Sequence, residues 1–329
     1  MNTTYSLDEL NFESTIGAYG EETDRRSIPI IDLQDFAQRR EEIKQQLWHA
    51  AQEVGFFQLK NHAIPLALVE QAFQQSEAFF ALPDTVKQQF PLKEGLNAGW
   101  EFMEQVRPST GTADQKESFQ VTLPHMQNLW PDQTQLPEFQ RIILDFEHRA
   151  WTLGMDILSC FAEQLGFASD FFARAHDRRS DEFQSTLRLL HYLPLAQTDM
   201  PQTGWRAGAH TDFDCLTMVF QKTGQGGLQA CPGKEAQSSQ QWSSIEAKQE
   251  LITCNIGDML MRWSDDQLKS TLHRVRMPRA DEYQGPRYSM AYFCQANKDQ
   301  MIQGPQQKYP AISARDYLLQ RINANFSAG

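Results

Sequence analysis

Positive charge is what this chain has least of. Lys and Arg total 30 against 42 Asp and Glu, a net charge of −12 over 329 residues. Such a surface repels polyanions, so neither nucleic acid nor an anionic membrane is an expected partner. A single basic pocket could still take an acidic ligand. Cysteine is also scarce, at five. Cys160, Cys215, Cys231, Cys254 and Cys294 are odd in number and never form C-x-x-C. They read as reduced packing residues of a reducing compartment. No uninterrupted apolar run approaches the ~20 residues that a membrane span needs. Met1 to Asp24 is polar and acidic, with no apolar segment of a leader peptide. The expectation is a soluble, cytoplasmic protein. There is no internal repeat.

What is present is enough apolar residue, 40% of the chain, to fill a sizeable core. Residues 1–27 lack periodicity and read as a loose arm; 28–329 reads as a single domain. IPIIDL at 28–33 alternates as a short strand, and GFFQLKNH at 55–62 as another. Between them, Ile43, Leu47, Ala50 and Val54 recur at helical spacing. A second helix carries Val69, Phe73 and Phe80, and a third short one starts near Pro83. Residues 91–135 look irregular, and so long a connection suggests a lid or pocket wall. Phe139, Ile142, Phe146, Ala150, Leu153, Ile157, Phe161 and Leu165 then mark a long helix that Gly166 ends.

From Ser185 the period changes from 3.6 to 2. TLRLLHYL, CLTMVFQ, GGLQAC, ELITCNI, DMLMRW, TLHRVRM and RYSMAYFCQ read as short strands between turn-rich stretches. Helices first and strands later imply a mainly β (α+β) protein. A helical flank over 28–180 would pack on a β sandwich or barrel over about 181–300, closed by a helix near 313–323.

Two constellations carry chemistry. AHTDFD places His210 and Asp212 at i and i+2, so both side chains point to one side of a strand or its end. H-x-D alone is a weak signal. His273, in the strand-like STLHRV, is the best candidate for a third ligand. Two neutral imidazoles and one carboxylate leave half an octahedron open, the facial arrangement of non-haem Fe(II) oxygenases. Further on, RYSMAYF puts Arg287 and Ser289 on one strand face. A guanidinium fork beside a hydroxyl suits a carboxylate, and a buried Arg with no partner would be costly. Ala291 and Phe293 continue that face.

Taken together, AHTDFDCLTMVFQ, GGLQA, NIGDML, STLHRV and RYSMAYF resemble the isopenicillin N synthase-like family of 2-oxoglutarate/Fe(II) oxygenases. IPIIDL, GFFQLKNHAIP, LRLLHYLP and DQKESF are similar too, so the resemblance runs in order from about 28 to 320. It implies a distorted double-stranded β-helix, or jelly roll, with iron at one open end. His210, Asp212 and His273 would be its iron ligands. Arg287 and Ser289 would hold the far carboxylate of 2-oxoglutarate, with Tyr192 assisting. Fe(II), 2-oxoglutarate and O2 would then oxidise a small organic substrate, by hydroxylation in the default case.

Candidate pocket residues are Trp205, in a Gly-rich loop, together with Phe213, Phe293, Phe119 and Arg107. The stretch between His273 and Arg287 is longer than in the family, with ADEYQG as an apparent hairpin insertion. Three other readings stand beside this one. They are an isopenicillin N synthase-type oxidase that uses Fe(II) and O2 without 2-oxoglutarate, a zinc hydrolase, and a non-catalytic jelly-roll binding protein. The zinc reading lacks an H-E-x-x-H helix. A monomer or weak homo-oligomer is expected.

Overall fold

A computed structural model describes residues 27–93, 95–105, 113–194, 205–231 and 241–326. The loose arm expected at 1–27 therefore falls, but for its last residue, outside the described residues. So does Arg107. The helices are α1 (Arg40–Glu53), α2 (Leu66–Phe80), α3 (Asp84–Lys87), α4 (Phe139–Gln164), α5 (Phe171–Ala175), α6 (Asp258–Trp263) and α7 (Ala314–Phe326). The strands that matter for the site are β1 (Ile30–Asp32), β2 (Phe56–Lys60), β3 (Gly99–Phe102), β4 (Lys116–Val121), β5 (Thr186–Tyr192) and β6 (Trp205–His210). They continue with β7 (Leu216–Gln221), β8 (Leu228–Cys231), β9 (Ser243–Ser244), β10 (Ile252–Ile256), β11 (Leu272–Arg276) and β12 (Arg287–Cys294).

A major sheet of eight strands runs β1-β2-β10-β7-β12-β5-β4-β3, and a minor sheet runs β6-β11-β8-β9. The two face each other across a shared interior, as in a jelly roll. Neighbours in the major sheet are antiparallel except β1 and β2. Strand alternation sorts the side chains into two layers. Met290, Tyr292 and Cys294 of β12 point outward into the apolar layer under the helices. Ala291 and the half-buried Phe293 point inward, with Tyr192 of β5 and Val275 of β11.

The outer layer is roofed by α4. Its buried residues Phe139, Ile142, Phe146, Ala150, Leu153, Ile157 and Phe161 form the apolar stripe that the spacing predicts. Phe146 meets Phe220 of β7 edge-on at 4.8 Å between ring centroids. Each fully buried Phe or Leu contributes about 1.5–3 kcal/mol, so a stripe of this length fixes helix to sheet. Gly166 follows α4 at φ +82, a left-handed conformation that ends a helix readily only with glycine. No helix among the described residues is long and apolar enough to cross a membrane.

Four expectations need correction. DMLMRW is α6, not a strand; its residues are buried on nearly all sides. A run of six residues buried on nearly all sides has no period that separates helix from strand. The stretch 91–135 is not all irregular, because β3 and β4 extend the major sheet beyond β5. Phe119 of β4 is not a pocket wall. Its ring is fully buried among Phe79 at 4.4 Å and Phe139 at 5.8 Å, on the helix side of the sheet. Finally, ADEYQG does not sit in a hairpin, since β11 and β12 belong to different sheets and it lies on the crossover between them.

The helical flank also holds a pH-sensitive contact. His176, just after α5, is fully buried, with Nδ1 2.7 Å from the Phe172 carbonyl oxygen. Burial pushes its pKa from 6.5 down to about 4. The folded protein thus keeps this ring neutral, while the unfolded chain takes up a proton below about pH 6.5. Stability therefore falls as pH drops from about 6.5 through 4, by up to about 3 kcal/mol. Thermal melts near neutral pH and at about pH 5 should show a smaller acid loss for His176→Phe than for the parent. Equal losses would contradict this.

Candidate metal and carboxylate site

His210 and His273 come together because β6 and β11 pair antiparallel with these two residues directly opposite. Facing positions on one side of such a pair are close neighbours. Their ring centroids are 4.2 Å apart. Asp212 lies just past the end of β6. Its Oδ1 is 3.9 Å from His210 Nε2, and its Oδ2 is 3.6 Å from His273 Nε2. One ligand atom from each of the three lies within 4.8 Å of the others. Asp212 and His273 are buried and His210 is partly open.

The surroundings prepare these groups for a cation. His210 Nδ1 is 2.8 Å from the Gly208 carbonyl oxygen, and His273 Nδ1 is 3.3 Å from that of Thr271. A carbonyl can only accept, so each Nδ1 carries the proton and each Nε2 keeps its lone pair. Asp212 Oδ2 accepts from Thr217 Oγ1 at 2.6 Å and from Asn255 Nδ2 at 2.8 Å, which fixes the carboxylate plane. The Asp258 N–H donates to the Asp212 carbonyl oxygen at 2.8 Å. Gly257 has no room for a side chain, since a Cβ would lie 2.2 Å from the Asp214 carbonyl oxygen.

The turn after β6 is also tied to the C-terminal helix. Arg321 of α7 is fully buried, forms an ion pair with Asp258 and donates to Thr211 Oγ1 at 3.1 Å. Thr211 Oγ1 in turn donates to Asp258 Oδ2 at 3.0 Å. The Arg321 guanidinium stacks on the Phe213 ring at 4.7 Å. Both neighbours of Asp212 are thereby gripped by one arginine. Phe213, a candidate pocket residue, thus has one ring face covered by α7.

Deeper in the interior, β12 carries Arg287 and Ser289 on the inner face. Arg287 is 1% exposed, a costly burial for a cation. Its Nε donates to the carbonyl oxygens of Gln225 and Gly226, both at 3.1 Å, and its Nη1 donates to Ser289 Oγ at 3.2 Å. Tyr192, its register partner on β5, lies under the guanidinium at 4.8 Å. Burial lowers the pKa of Arg287. Among the described residues, no carboxylate bonds it. Phe293, further along the same inner face, lies under the Arg188 guanidinium at 5.0 Å.

Trp205 is a correction. It lies on β6 rather than in a loop, and its ring is on the outer face of the minor sheet. There it stacks on Arg274 at 4.1 Å, with Trp242 on that guanidinium at 3.9 Å. The strand that forms here, in place of a loop, is the cause. Five residues, an odd number, separate it from His210, so the strand itself turns Trp205 to the face opposite the ligand, which a loop would not do.

The sequence matches the model of the non-haem dioxygenase N-terminal family, described by its role in morphine synthesis, over residues 28–133. It matches the 2OG-Fe(II) oxygenase superfamily over residues 183–296. The proline hydroxylase buaE of Petromyces alliaceus is 31% identical over 82% of this chain and 87% of its own. The 2-oxoglutarate-Fe(II) type oxidoreductase hxnY of Emericella nidulans is 28% identical over 88% and 87%. Among solved structures, a full-length Neurospora crassa protein in complex with alpha-ketoglutarate and thymine superposes with a TM-score of 0.79 at 29% identity, covering 94% of this chain and 99% of that one.

The chain belongs to the 2-oxoglutarate/Fe(II) oxygenase superfamily.

It is a dioxygenase that depends on Fe(II), 2-oxoglutarate and O2. The zinc hydrolase and the non-catalytic binding protein are set aside with that membership, and the oxidase without 2-oxoglutarate by the 2-oxoglutarate-dependent relatives and the 2-oxoglutarate-bound neighbours. The donor set present fits the iron this oxygenase requires: two Nε2 lone pairs and a carboxylate converge, with both Nδ1 protons already engaged. Asn255 and Asp258, within NIGDML, and Thr217 and Arg321 brace the site without standing out in the sequence. A polar residue inside an otherwise apolar strand was the available signal for Asn255 and Thr217. Nothing in the sequence links residue 321 to residue 211.

Proposed function

We propose that His210, Asp212 and His273 hold the iron, and that Arg287, Ser289 and Tyr192 hold the far carboxylate of 2-oxoglutarate. We further infer that the reaction is hydroxylation of a small organic molecule. Bound Fe(II), with 2-oxoglutarate and O2, supplies an oxidation that releases succinate and CO2 and can functionalise an unactivated C–H bond.

The protein's contribution is placement. His210, Asp212 and His273 would hold the cation with three donors, a number that leaves coordination positions for cosubstrate and O2. Asn255 and Thr217 keep the carboxylate from rotating. Arg287 anchors the cosubstrate from the depth of the barrel, and Phe293 with Arg188 forms an amphipathic wall beside it. The observation that carries this reading is the convergence of three ligand atoms within 4.8 Å in a barrel that also buries an Arg without a carboxylate. The similar proteins, a proline hydroxylase and a thymine-bound protein, support a small polar substrate.

The same reading takes residues 28–329 as one oxygenase domain, because β1–β4 share a sheet with β5, β7, β10 and β12. It takes the protein as cytoplasmic, since its five cysteines are buried free thiols. A monomer or weak homo-oligomer, without nucleic-acid or membrane partners, completes it. The test is succinate formation from 2-oxoglutarate with Fe(II) and O2. Arg287→Gln is expected to raise the half-saturating 2-oxoglutarate concentration by ~30-fold or more, the cost of removing one partner of a buried charge pair. Unchanged saturation would sink the assignment of Arg287.

A further inference from the structure

We propose that Arg206 is a second guanidinium of the cosubstrate pocket, binding the same distal carboxylate as Arg287 and restricting the pocket to 2-oxo dicarboxylates. This rests on the reading of Arg287 just given. Arg206 is on β6 and only 2% exposed. Its Nη2 donates to the carbonyl oxygen of Gly285 at 3.0 Å, two residues ahead of Arg287. Its Nε is buried with no hydrogen-bond partner among the described residues. Burial and then the positive charge of Arg287 hold its pKa down to about 10, while the Tyr192 and Tyr283 hydroxyls act the other way.

Two guanidiniums within electrostatic reach of each other, in a water-poor interior, repel and are poorly solvated. Among the described residues, no carboxylate bonds either of them. The other cation at this end of β5 is satisfied, because Lys116 pairs with Asp114 at 2.6 Å. At this end of β5, among the described residues, the buried cations that no carboxylate bonds are Arg206 and Arg287. A ligand carboxylate offers about four acceptor sites and a full negative charge, which two guanidiniums can share. Arg206 can supply further donors. Such a pocket discriminates by the far end of the ligand. A 2-oxo acid without that carboxylate leaves both cations uncompensated.

Anaerobic calorimetry on the full Fe(II)-loaded protein tests this. Arg206→Met should weaken 2-oxoglutarate by ~30-fold or more. Its melting temperature and its affinity for Fe(II) should stay near the parent's. Binding of a 2-oxo monocarboxylate such as 2-oxobutyrate should not weaken. Arg206→Lys, which keeps the charge but loses the fork, should fall between parent and Arg206→Met. Parent-like 2-oxoglutarate affinity in Arg206→Met overturns the proposal. If Arg206→Met does not fold, parent-like affinity in Arg206→Lys overturns it. Arg287→Gln separates the two failures. If it too binds like the parent, the whole carboxylate reading falls; if it alone weakens, only the role of Arg206 falls.

Discussion

Replacing His273 with alanine is expected to abolish succinate formation and to strip Fe(II) from the protein at concentrations that saturate the parent. In the proposed site His273 is one of three ligands, and its Nε2 is oriented by the Nδ1 contact to Thr271. Changing groups behind a ligand already costs ~10–100-fold in metal affinity or activity, so removing the ligand itself should cost well over that. Asn255→Leu provides the scale: it removes a hydrogen bond to Asp212 Oδ2 but no ligand, and should fall in that ~10–100-fold range. Far-ultraviolet circular dichroism should show both variants folded, because neither side chain belongs to the apolar clusters that hold helix to sheet. Full metal loading and turnover in His273→Ala would mean that the iron is held elsewhere.

The largest effect on stability is expected at Arg321, far from the ligands in sequence. Arg321→Met leaves the Asp258 carboxylate, 1% exposed, without its cation. Breaking a buried pair from one side costs about 3–5 kcal/mol. Melting temperature should therefore drop by several degrees or more. Metal affinity should drop as well, because Thr211 and Phe213 flank Asp212 and both rest on Arg321. Adding Asp258→Asn should recover part of the loss, since the stranded charge is then gone. A melting temperature unchanged in Arg321→Met would show that α7 does not brace the site.

Much of this architecture is written in local patterns. The stripe from Phe139 to Leu165 is long enough to declare a helix, and the i, i+2 pairs at 210/212 and 287/289 declare shared faces. Those patterns depend only on backbone period, so they survive without tertiary knowledge. Failures occurred where tertiary context decides. The glycine-rich stretch before His210 joins the minor sheet as β6, and that pairing turns Trp205 to the outer face. Phe119 obeys strand alternation, but which face meets the helices is set by α2 and α4. DMLMRW is apolar almost throughout, and helix α6 forms because Asp258 and Met259 donate to the Asp212 and Asp214 carbonyls. The lock between Arg321, Asp258 and Thr211 joins residues 211 and 321, which no spacing rule connects.

Calorimetric titration of 2-oxoglutarate into the anaerobic protein, with and without Fe(II), examines the central idea directly. One equivalent should bind when iron is present, and binding should collapse when iron is withheld or when His210 is alanine. Equal binding in all three samples, or none in the iron-loaded parent, would contradict a cosubstrate shared between the iron at His210, Asp212 and His273 and the guanidinium of Arg287.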